Sequence, residues 1–489
     1  MEMKREDAQY SPVAGEHPSL GEQWTKPSRK YLYISVAILN LQFLMCGTAF
    51  GWSSPMLMKL ELSATDGSTI ASALPLGIVL GPFVSGVLLD RIGRKATVGL
   101  SMGIITCCYV ILTLVSSVSL LSLGRFMAGV TCGITFASVP LYIAEISEDS
   151  VRGFLNTMNQ FSVGSGSLLM YAVGPLVSYA YLHYMLLGLC ATFFVLFPLL
   201  PDSPYSLVTR GKVTEAERTL AKLRGNSSVS LIEKELQVIQ KSITEGQEGS
   251  TSVRELVSSR GNRLALTICL VLLVSQQLCG VSIVFLYLEQ IFQMTGTNIS
   301  SSTCSTVVGF ILVISGGISP LAVKYFGYKK PLLVSTSGMA LGMGNLGAYL
   351  AMKFYGVNVT SFNWLPLLSV VVYIVSFNIG FANIPWALAG ELFPNNVKSN
   401  AVTMIASTSG LFAFLTVKLF PYLTLLLGLH FLFCVCSLMC LLTVVFMWLV
   451  VQDTSSMSFV EIQLMLNGHK RIDLSLNKPL KSPLADVEL

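Results

Sequence analysis

Neutral amide side chains lie inside long apolar stretches of this chain, where hydrogen-bonding groups are costly unless they find partners. Four of them offer both a donor and an acceptor: Gln160, the adjacent Gln276 and Gln277, and Asn378. A sugar hydroxyl also donates and accepts, and Trp386 would supply an apolar platform for the C–H face of a sugar ring. These residues predict a site for an uncharged, polyhydroxylated ligand. The alternative for the glutamine pair is a structural hydrogen bond between helices.

Aspartate, glutamate and histidine side chains are missing from the middle of the same stretches. Glu289 follows Gln277 by twelve residues, about 18 Å along a helix, which places it near a membrane surface. His183 and His430 lie at the ends of apolar stretches, and we expect both at the membrane interface. A proton-coupled carrier needs a titratable group near its substrate, so the sequence favours facilitated diffusion. Neither a nucleotide-binding glycine-rich loop nor zinc-ligand spacing is present, which argues against a pump, an enzyme, a cofactor or a metal.

The amino-acid composition indicates whether these residues lie in water or in a membrane. The 489 residues are 53% hydrophobic and only 12% charged, with a mean hydropathy of +0.67, whereas soluble proteins carry about 25% charged residues. This composition excludes water-soluble, disordered and coiled-coil proteins, and the net charge of +5 does not suggest a nucleic-acid partner. The 11 cysteines lie almost entirely in apolar runs and are interpreted as small core residues. The composition therefore predicts that most of the chain is surrounded by a lipid bilayer.

Twelve stretches are long and apolar enough to span a bilayer as helices, which predicts an all-α membrane protein. Six precede residue 201 and six follow residue 262. Their approximate bounds are 31–53, 68–89, 96–115, 120–143, 154–178, 182–200, 263–292, 302–323, 330–352, 364–390, 399–423 and 426–451.

Basic residues fix the expected orientation, because short loops rich in Lys and Arg stay in the cytoplasm. With both termini inside, the cytoplasmic segments hold all 31 basic residues except Lys59, Arg125, Lys353 and Lys418. Glycosylation sequons at Asn298 and Asn358 then lie outside, where a glycan can be attached. The sequon at Asn226 lies inside and is expected to stay unmodified.

The spans divide the chain into two six-helix bundles and three polar segments. Apolar residues in the central loop have helical spacing and predict short amphipathic helices, the alternative being a solvated linker. The predicted units are a cytoplasmic tail at 1–30, a bundle at 31–200, the loop at 201–262, a second bundle at 263–451 and a second cytoplasmic tail at 452–489.

An acid and a base recur with equal spacing at the cytoplasmic end of the fourth span in each half. Glu145 precedes Arg152 by seven residues, and Glu391 precedes Lys398 by the same interval. Parallel six-helix repeats of this kind occur in secondary transporters. We expect ion pairs between the two halves to hold them together on the cytoplasmic side. The alternative is that the basic residues only determine the membrane topology. The neighbouring charges in this expectation are Asp90, Arg91 and Arg94 in the first half, and Lys324, Lys329 and Lys330 in the second.

These motifs resemble the sugar-porter family of the major facilitator superfamily over almost the whole chain. The first-helix segment Gly51-Trp-Ser-Ser-Pro55 is similar to that of insect facilitated trehalose transporters. The other matching segments are Gly86-x3-Asp90-Arg91-x-Gly93-Arg94-Lys95, Gly124-Arg125-Phe126, Pro140-x-Tyr142-x2-Glu145, Arg152-Gly153, Pro201-Asp-Ser-Pro204, Gln276-Gln277-Leu278-x-Gly280 and Pro385-Trp386-x4-Glu391.

The resemblance implies the major facilitator fold and alternating access by a hexose or disaccharide carrier. Its sugar-contacting positions fall on Gln160, Gln276, Gln277 and Trp386. Its cytoplasmic charge network falls on Asp90, Arg94, Glu145, Arg152 and Glu391, with Tyr287 at the outer gate. We add Ser282 and Asn378 to the expected sugar site, and Arg91, Arg125 and Lys398 to the expected gating and charge network. The chain departs from the family where Leu312 and Ala413 replace frequent asparagines and where Asn378 replaces a common acid.

The sequence therefore predicts a facilitative sugar transporter, a uniporter for trehalose or a hexose, in the plasma membrane. It would be a multi-pass protein that works as a monomer and is not an enzyme. Two alternatives stay open. One is a proton-coupled sugar symporter, and the other is a transporter-like sensor that binds sugar without carrying it.

Overall fold

The computed structural model describes residues 29–225, 229–247, 253–455, 457 and 459–467. Every regular element in these ranges is helical, which confirms the all-α prediction. The predicted tails at 1–30 and 452–489 lie mostly outside the described residues, as does the sequon asparagine Asn226.

The first bundle consists of six single helices that cross between two faces of the molecule. Glycines allow the backbones to touch where α1 packs on α5 and where α2 packs on α4. A Cβ atom at Gly166 would lie 2.0 Å from the Leu44 carbonyl oxygen, and one at Gly129 would lie 2.0 Å from that of Leu74. The helices are α1 (Lys30–Lys59), α2 (Ala64–Arg91), α3 (Arg94–Leu114), α4 (Val118–Ile146), α5 (Asp149–Val173) and α6 (Tyr179–Leu196).

The central loop folds into short helices rather than a solvated linker. They are α7 (Pro204–Thr209), α8 (Val213–Leu223), α9 (Val229–Gln247) and α10 (Val253–Ser258). A small apolar core that includes Leu220 and Ile232 joins α7, α8 and α9. Arg224 donates to Glu235 at 2.5 Å and to the carbonyl of Ile146 at 2.8 Å, so the cluster is fastened to the end of α4.

The second bundle also has six spans, but three of them are broken. The helices are α11 (Arg260–Leu278), α12 (Val281–Thr295), α13 (Ser301–Ser315), α14 (Ile318–Phe326), α15 (Lys329–Phe354), α16 (Leu365–Ile379), α17 (Ile384–Glu391), α18 (Asn395–Leu427) and α19 (Leu429–Val450), followed by α20 (Phe459–Leu466). Breaks fall at Cys279–Gly280, at Gly316–Gly317 and at Gly380–Asn383. The apolar stretches predicted continuous helices here, because hydropathy is insensitive to glycine and proline.

Length and hydropathy alone identify nine membrane-spanning helices in the described residues, or ten when the bent pair α13 and α14 counts as one span. The remaining two spans are α5 and α15. Helix α5 is the more polar because it carries Asn156, Asn159, Gln160 and Ser162. Polar residues on a spanning helix mark a surface turned toward protein or a cavity rather than lipid.

Helices from both bundles meet along three seams: α2 against α18, α5 against α13, and α1 against α12. The described chain begins and ends on one side of the bundles, which we call the tail face. It includes the α2–α3 and α4–α5 turns. The other side, the opposite face, includes the end of α1, the end of α12 and the turn between α18 and α19.

Candidate functional site

The glutamine pair lies at the end of α11, just before the break at Gly280. Both side chains are buried, and Gln276 donates from Nε2 to the Phe381 carbonyl at 2.6 Å. In a continuous helix that carbonyl would bond the N–H of residue 385, but residue 385 is a proline and has none. Gln276 therefore supplies the missing donor and links α11 to the break between α16 and α17.

Gln277 connects three elements of the second bundle through neutral groups. Its Nε2 donates to Ser409 Oγ on α18 at 3.2 Å, and its Oε1 accepts from Ser282 Oγ at 2.7 Å. A weaker 3.4 Å contact joins it to Gln276 Oε1. Ser282 lies on α12, so this amide bridges the break between α11 and α12.

Sequence analysis missed Ser409. A serine in an apolar helix is usually satisfied by the carbonyl four residues earlier, so it carries little signal alone. The cluster Ser407-Thr408-Ser409 within apolar α18 is the signal that would have indicated a polar face.

Asn378 is almost fully buried on α16 and turns toward α13. Its Nδ2 donates to Ser315 Oγ at 2.7 Å and lies 3.4 Å from the Leu312 carbonyl. Its Oδ1 has no partner among the described residues. The amide orientation therefore leaves one acceptor available to a hydroxyl donor.

Gln160 and Trp386 are more accessible than the other predicted contacts. Gln160 is half-buried on α5 and has no hydrogen bond among the described residues. Trp386 is 41% exposed on α17, one residue after Pro385. The structure brings Gln276, Gln277 and Ser282 together, whereas among the described residues neither Gln160 nor Trp386 forms a hydrogen bond to them.

Arg125 lies in the core of the first bundle rather than in the charge network to which the sequence analysis assigned it. It is completely buried and donates to the Ala49 carbonyl at 2.7 Å and to Ser53 Oγ at 2.9 Å. Its guanidinium also lies 4.9 Å from the centre of the Trp52 ring. The groups that hold this cation are all neutral.

His183 lies near the start of α6, at a span end as expected, but its side chain is fully buried beside Trp52. Trp52 Nε1 donates to His183 Nε2 at 2.9 Å. The other ring nitrogen lies 2.7 Å from the Tyr179 carbonyl, which can only accept, so Nδ1 carries the proton. The imidazole is a neutral structural link between α1 and α6.

The tail-face charges of the first bundle pair within that bundle. Arg94 donates to Glu145 with Nε at 3.0 Å and Nη2 at 2.8 Å. Ser203, from the segment before α7, also donates to Glu145. Arg152 lies near the Ser147 carbonyl, at 3.5 Å. Two further predicted members of the network, Asp90 and Arg91, are exposed to solvent.

The second bundle pairs its tail-face acid with a tyrosine instead of a lysine. Tyr328 donates its hydroxyl to Glu391 Oε1 at 2.6 Å. Lys329 donates instead to the Trp448 carbonyl at 3.0 Å, and the side chain of Lys398 forms no hydrogen bond or ion pair in the described part of the chain. Burial and the carboxylate of Glu391 raise the pKa of Tyr328, so its hydroxyl keeps its proton.

Asp453 fixes the backbone at the same corner. Its Oδ1 accepts from the Tyr328 N–H at 3.1 Å and from the Ser455 hydroxyl at 2.7 Å. Burial alone would raise the pKa of Asp453, but the hydrogen bonds from Ser455 and from backbone amides lower it overall. Asp453 therefore remains an ionised carboxylate that accepts hydrogen bonds from the start of α15.

Tyr287 lies at a kink inside α12, where its φ is −117° and its ψ is 19°. The side chain is buried, donates to the Val417 carbonyl at 3.2 Å and stacks on Phe420 with ring centres 4.7 Å apart. The sequons at Asn298 and Asn358 are both exposed on the opposite face. Tyr287 itself lies in the half of its span nearer this opposite face.

The chain is similar in sequence to known sugar transporters. The family model described as sugar (and other) transporter matches residues 23–466. The facilitated trehalose transporter Tret1 of Bombyx mori is 29% identical over 445 residues, which cover 90% of this chain and 86% of that protein. A facilitated trehalose transporter Tret1-2 homolog of Drosophila sechellia is 27% identical over 469 residues, covering 94% and 96%. Some relatives are longer, and the chain spans 58% of the Tret1 of Anopheles gambiae.

Solved structures show a similar fold. The xylose transporter XylE from E. coli, in an inward-open conformation, has a TM-score of 0.74 and 22% sequence identity. The match covers 89% of this chain and 100% of that one. A partially occluded inward-open conformation of the same transporter gives a TM-score of 0.71 at 23% identity. The arrangement of two six-helix bundles is therefore one already seen in membrane carriers.

Proposed function

The chain belongs to the sugar transporter family, and we propose that within it the chain is a facilitative carrier of a neutral sugar, trehalose or a hexose. Relatives named as facilitated trehalose transporters support the substrate class. The site residues are Gln160, Gln276, Gln277, Ser282, Asn378 and Trp386, to which the structure adds Ser409.

The neutrality of the hydrogen-bonding groups around the glutamine pair carries this proposal. Gln277 engages two serine hydroxyls, and Gln276 engages a backbone carbonyl. Asn378 keeps a buried side-chain oxygen that has no hydrogen-bond partner among the described residues. A sugar hydroxyl can donate to such an oxygen, whereas an anionic substrate would meet no compensating cation among these residues.

Transport would proceed by alternating access. The bundles at 31–200 and 263–451 would rock about a site near the midplane, exposing it first to one side and then to the other. In the structure the tail-face pair Arg94–Glu145 and the hydrogen bond from Tyr328 to Glu391 each lie within one bundle. We infer that both keep the ends of their own bundle rigid as it moves.

Uncoupled transport is supported by the environment of Arg125. A buried cation whose partner is a carboxylate can be released by protonation of that carboxylate. Arg125 is held by a carbonyl, a hydroxyl and an indole ring, none of which titrates near neutral pH. Proton symport is nevertheless a second candidate, because Glu289 is buried on α12 and its Oε2 has no partner in the described ranges.

The proposed location is the plasma membrane, with both termini in the cytoplasm. Basic residues concentrate in the tails and in the tail-face loops, as cytoplasmic segments do. Asn298 and Asn358 would then carry glycans on the outer side. The proposed working unit is a monomer, since each chain contains both bundles of the site.

The decisive experiment measures uptake of labelled trehalose and glucose into proteoliposomes that contain the purified full-length chain. We expect uptake that does not depend on a pH gradient and that Gln277→Ala reduces, while the control Tyr179→Phe leaves it unchanged. Uptake driven by the gradient and lost in Glu289→Gln would favour the symporter. Sugar binding without flux would identify a sensor. The absence of both binding and flux would overturn the proposal.

A further inference from the structure

The kink in α12 separates two backbone groups that a regular helix would join. In an α-helix the N–H of residue i+4 donates to the carbonyl of residue i, which here pairs Glu289 with Phe285. Tyr287, midway between them, has non-helical dihedral angles. A kink of this kind leaves a donor and an acceptor that other groups can use.

Both groups are taken by side chains of the first bundle. The Glu289 N–H donates to Ser54 Oγ on α1 at 3.0 Å. The Phe285 carbonyl accepts from the Tyr171 hydroxyl on α5 at 2.8 Å. Ser54 is 0% exposed and Tyr171 is 1% exposed, so water does not substitute for either partner.

Further hydrogen bonds join the two bundles near this kink. Thr306 on α13 donates to the Tyr171 carbonyl at 3.0 Å, across the same seam between bundles. Next to the Val417 carbonyl that accepts from Tyr287, Lys418 donates to Thr69 Oγ1 on α2 at 2.6 Å. The kink is thus surrounded by hydrogen bonds that cross from one bundle to the other at the opposite face.

We propose that Ser54 and Tyr171 form a backbone latch that holds α12 kinked and keeps the opposite face closed. When the bundles separate there, Ser54 and Tyr171 withdraw, and the Phe285 carbonyl and the Glu289 N–H can bond each other in a straighter helix. Each of the two backbone groups has one partner in both arrangements, and the released hydroxyls of Ser54 and Tyr171 then meet the water that enters the opened face. Helix straightening and opening of the face are then one two-state event.

This inference rests on the proposed alternating access, but it assigns roles to residues outside the sugar site. Ser54 and Tyr171 are positioning residues that act through the backbone of α12. A hydrogen bond of this type contributes about 0.5–1.5 kcal/mol, so removal of either one should shift the closed-to-open ratio roughly 2- to 12-fold. The shift should favour an open opposite face.

Hydrogen–deuterium exchange on the full-length chain in lipid nanodiscs tests the latch directly. In Tyr171→Phe and in Ser54→Ala we expect peptides covering residues 281–295 to exchange several-fold faster than in the wild type. Ser54→Thr keeps the hydroxyl and should retain slow exchange. Tyr179→Phe is the matched control, because its hydroxyl donates to the Leu112 carbonyl inside the first bundle at 2.9 Å.

Unchanged exchange at 281–295 in both variants, with melting temperatures close to wild type, would overturn the latch. Equal acceleration in Tyr179→Phe would also overturn it, since the effect would then be general loosening. The outcome is separable from the transport proposal. A latch signal in a chain that carries no sugar would remove the proposed function alone, and sugar uptake without the signal would remove the latch alone.

Discussion

The hydroxyl of Tyr328 lies 2.6 Å from Glu391 Oε1, at the place where the first bundle pairs Arg94 with Glu145. Each donor directly follows a glycine with positive φ, Gly93 at 82° and Gly327 at 73°. The two bundles thus repeat one geometry with different chemistry. The second bundle has a hydrogen bond to its acid where the first bundle has an ion pair.

Tyr328→Phe should destabilise the second bundle because the Glu391 carboxylate loses its donor. The group is partly exposed, so we expect a loss of about 1 kcal/mol in the free energy of unfolding. Tyr328→Arg should retain stability by restoring the pairing seen in the first bundle. Thermal unfolding of the purified chain in detergent measures both, and a Phe variant as stable as wild type would contradict this role.

Ser409→Ala should weaken sugar binding without unfolding the chain. Ser409 accepts from Gln277 Nε2, so its removal leaves the amide free to rotate away from a binding orientation. Loss of one such hydrogen bond corresponds to a KM about 3- to 10-fold higher. Ser437→Ala is the control, since Ser437 donates to the Ala340 carbonyl between α15 and α19. Equal KM values in the two variants would exclude a role for Ser409 at the site.

His183→Leu should lower the melting temperature because the buried Trp52 N–H loses its acceptor. An unsatisfied buried donor costs about 1–3 kcal/mol. His183→Gln supplies an amide oxygen and should recover part of this loss. If the leucine variant melts at the wild-type temperature, the hydrogen bond from Trp52 does not stabilise the first bundle.

Asn298→Gln and Asn358→Gln should each remove one glycan from the chain expressed in eukaryotic cells. Both asparagines are exposed on the opposite face, which the proposed orientation places outside the cell. Gel mobility before and after glycosidase treatment reports the change, with Asn226→Gln as the control that alters nothing. A glycan found at Asn226 would contradict the proposed orientation and indicate the reverse one.

The sequence predicted the number of spans and their division into two bundles, because both follow from hydropathy and charge. It did not predict the breaks in the second bundle. Gly280 and Pro385 lie in apolar surroundings, and a hydropathy profile gives the same value for a broken and a continuous helix. Their effect depends on whether a side chain such as Gln276 is present to satisfy the released carbonyl.

At the site, amides were easier to predict than their partners. Gln276, Gln277 and Asn378 stand out because an amide in hydrocarbon is costly. Ser409 does not stand out, since its own helix can satisfy a hydroxyl. The sequence also did not predict the partner of Glu391. A search for ion pairs considers lysines and overlooks a tyrosine hydroxyl, and a lysine at the tail face can instead donate to a backbone carbonyl, as Lys329 does.

The glycines at the crossings of α1 with α5 and of α2 with α4 leave no room for even a methyl group. A substitution at Gly129 or Gly166 would push neighbouring helices apart while the nascent chain is still assembling, and cellular quality control removes such molecules. Fewer carriers would reach the cell surface, although each survivor would turn over normally. Whole-cell screens would then score these alleles as inactive, and only counting the molecules would show that abundance, not turnover, had changed.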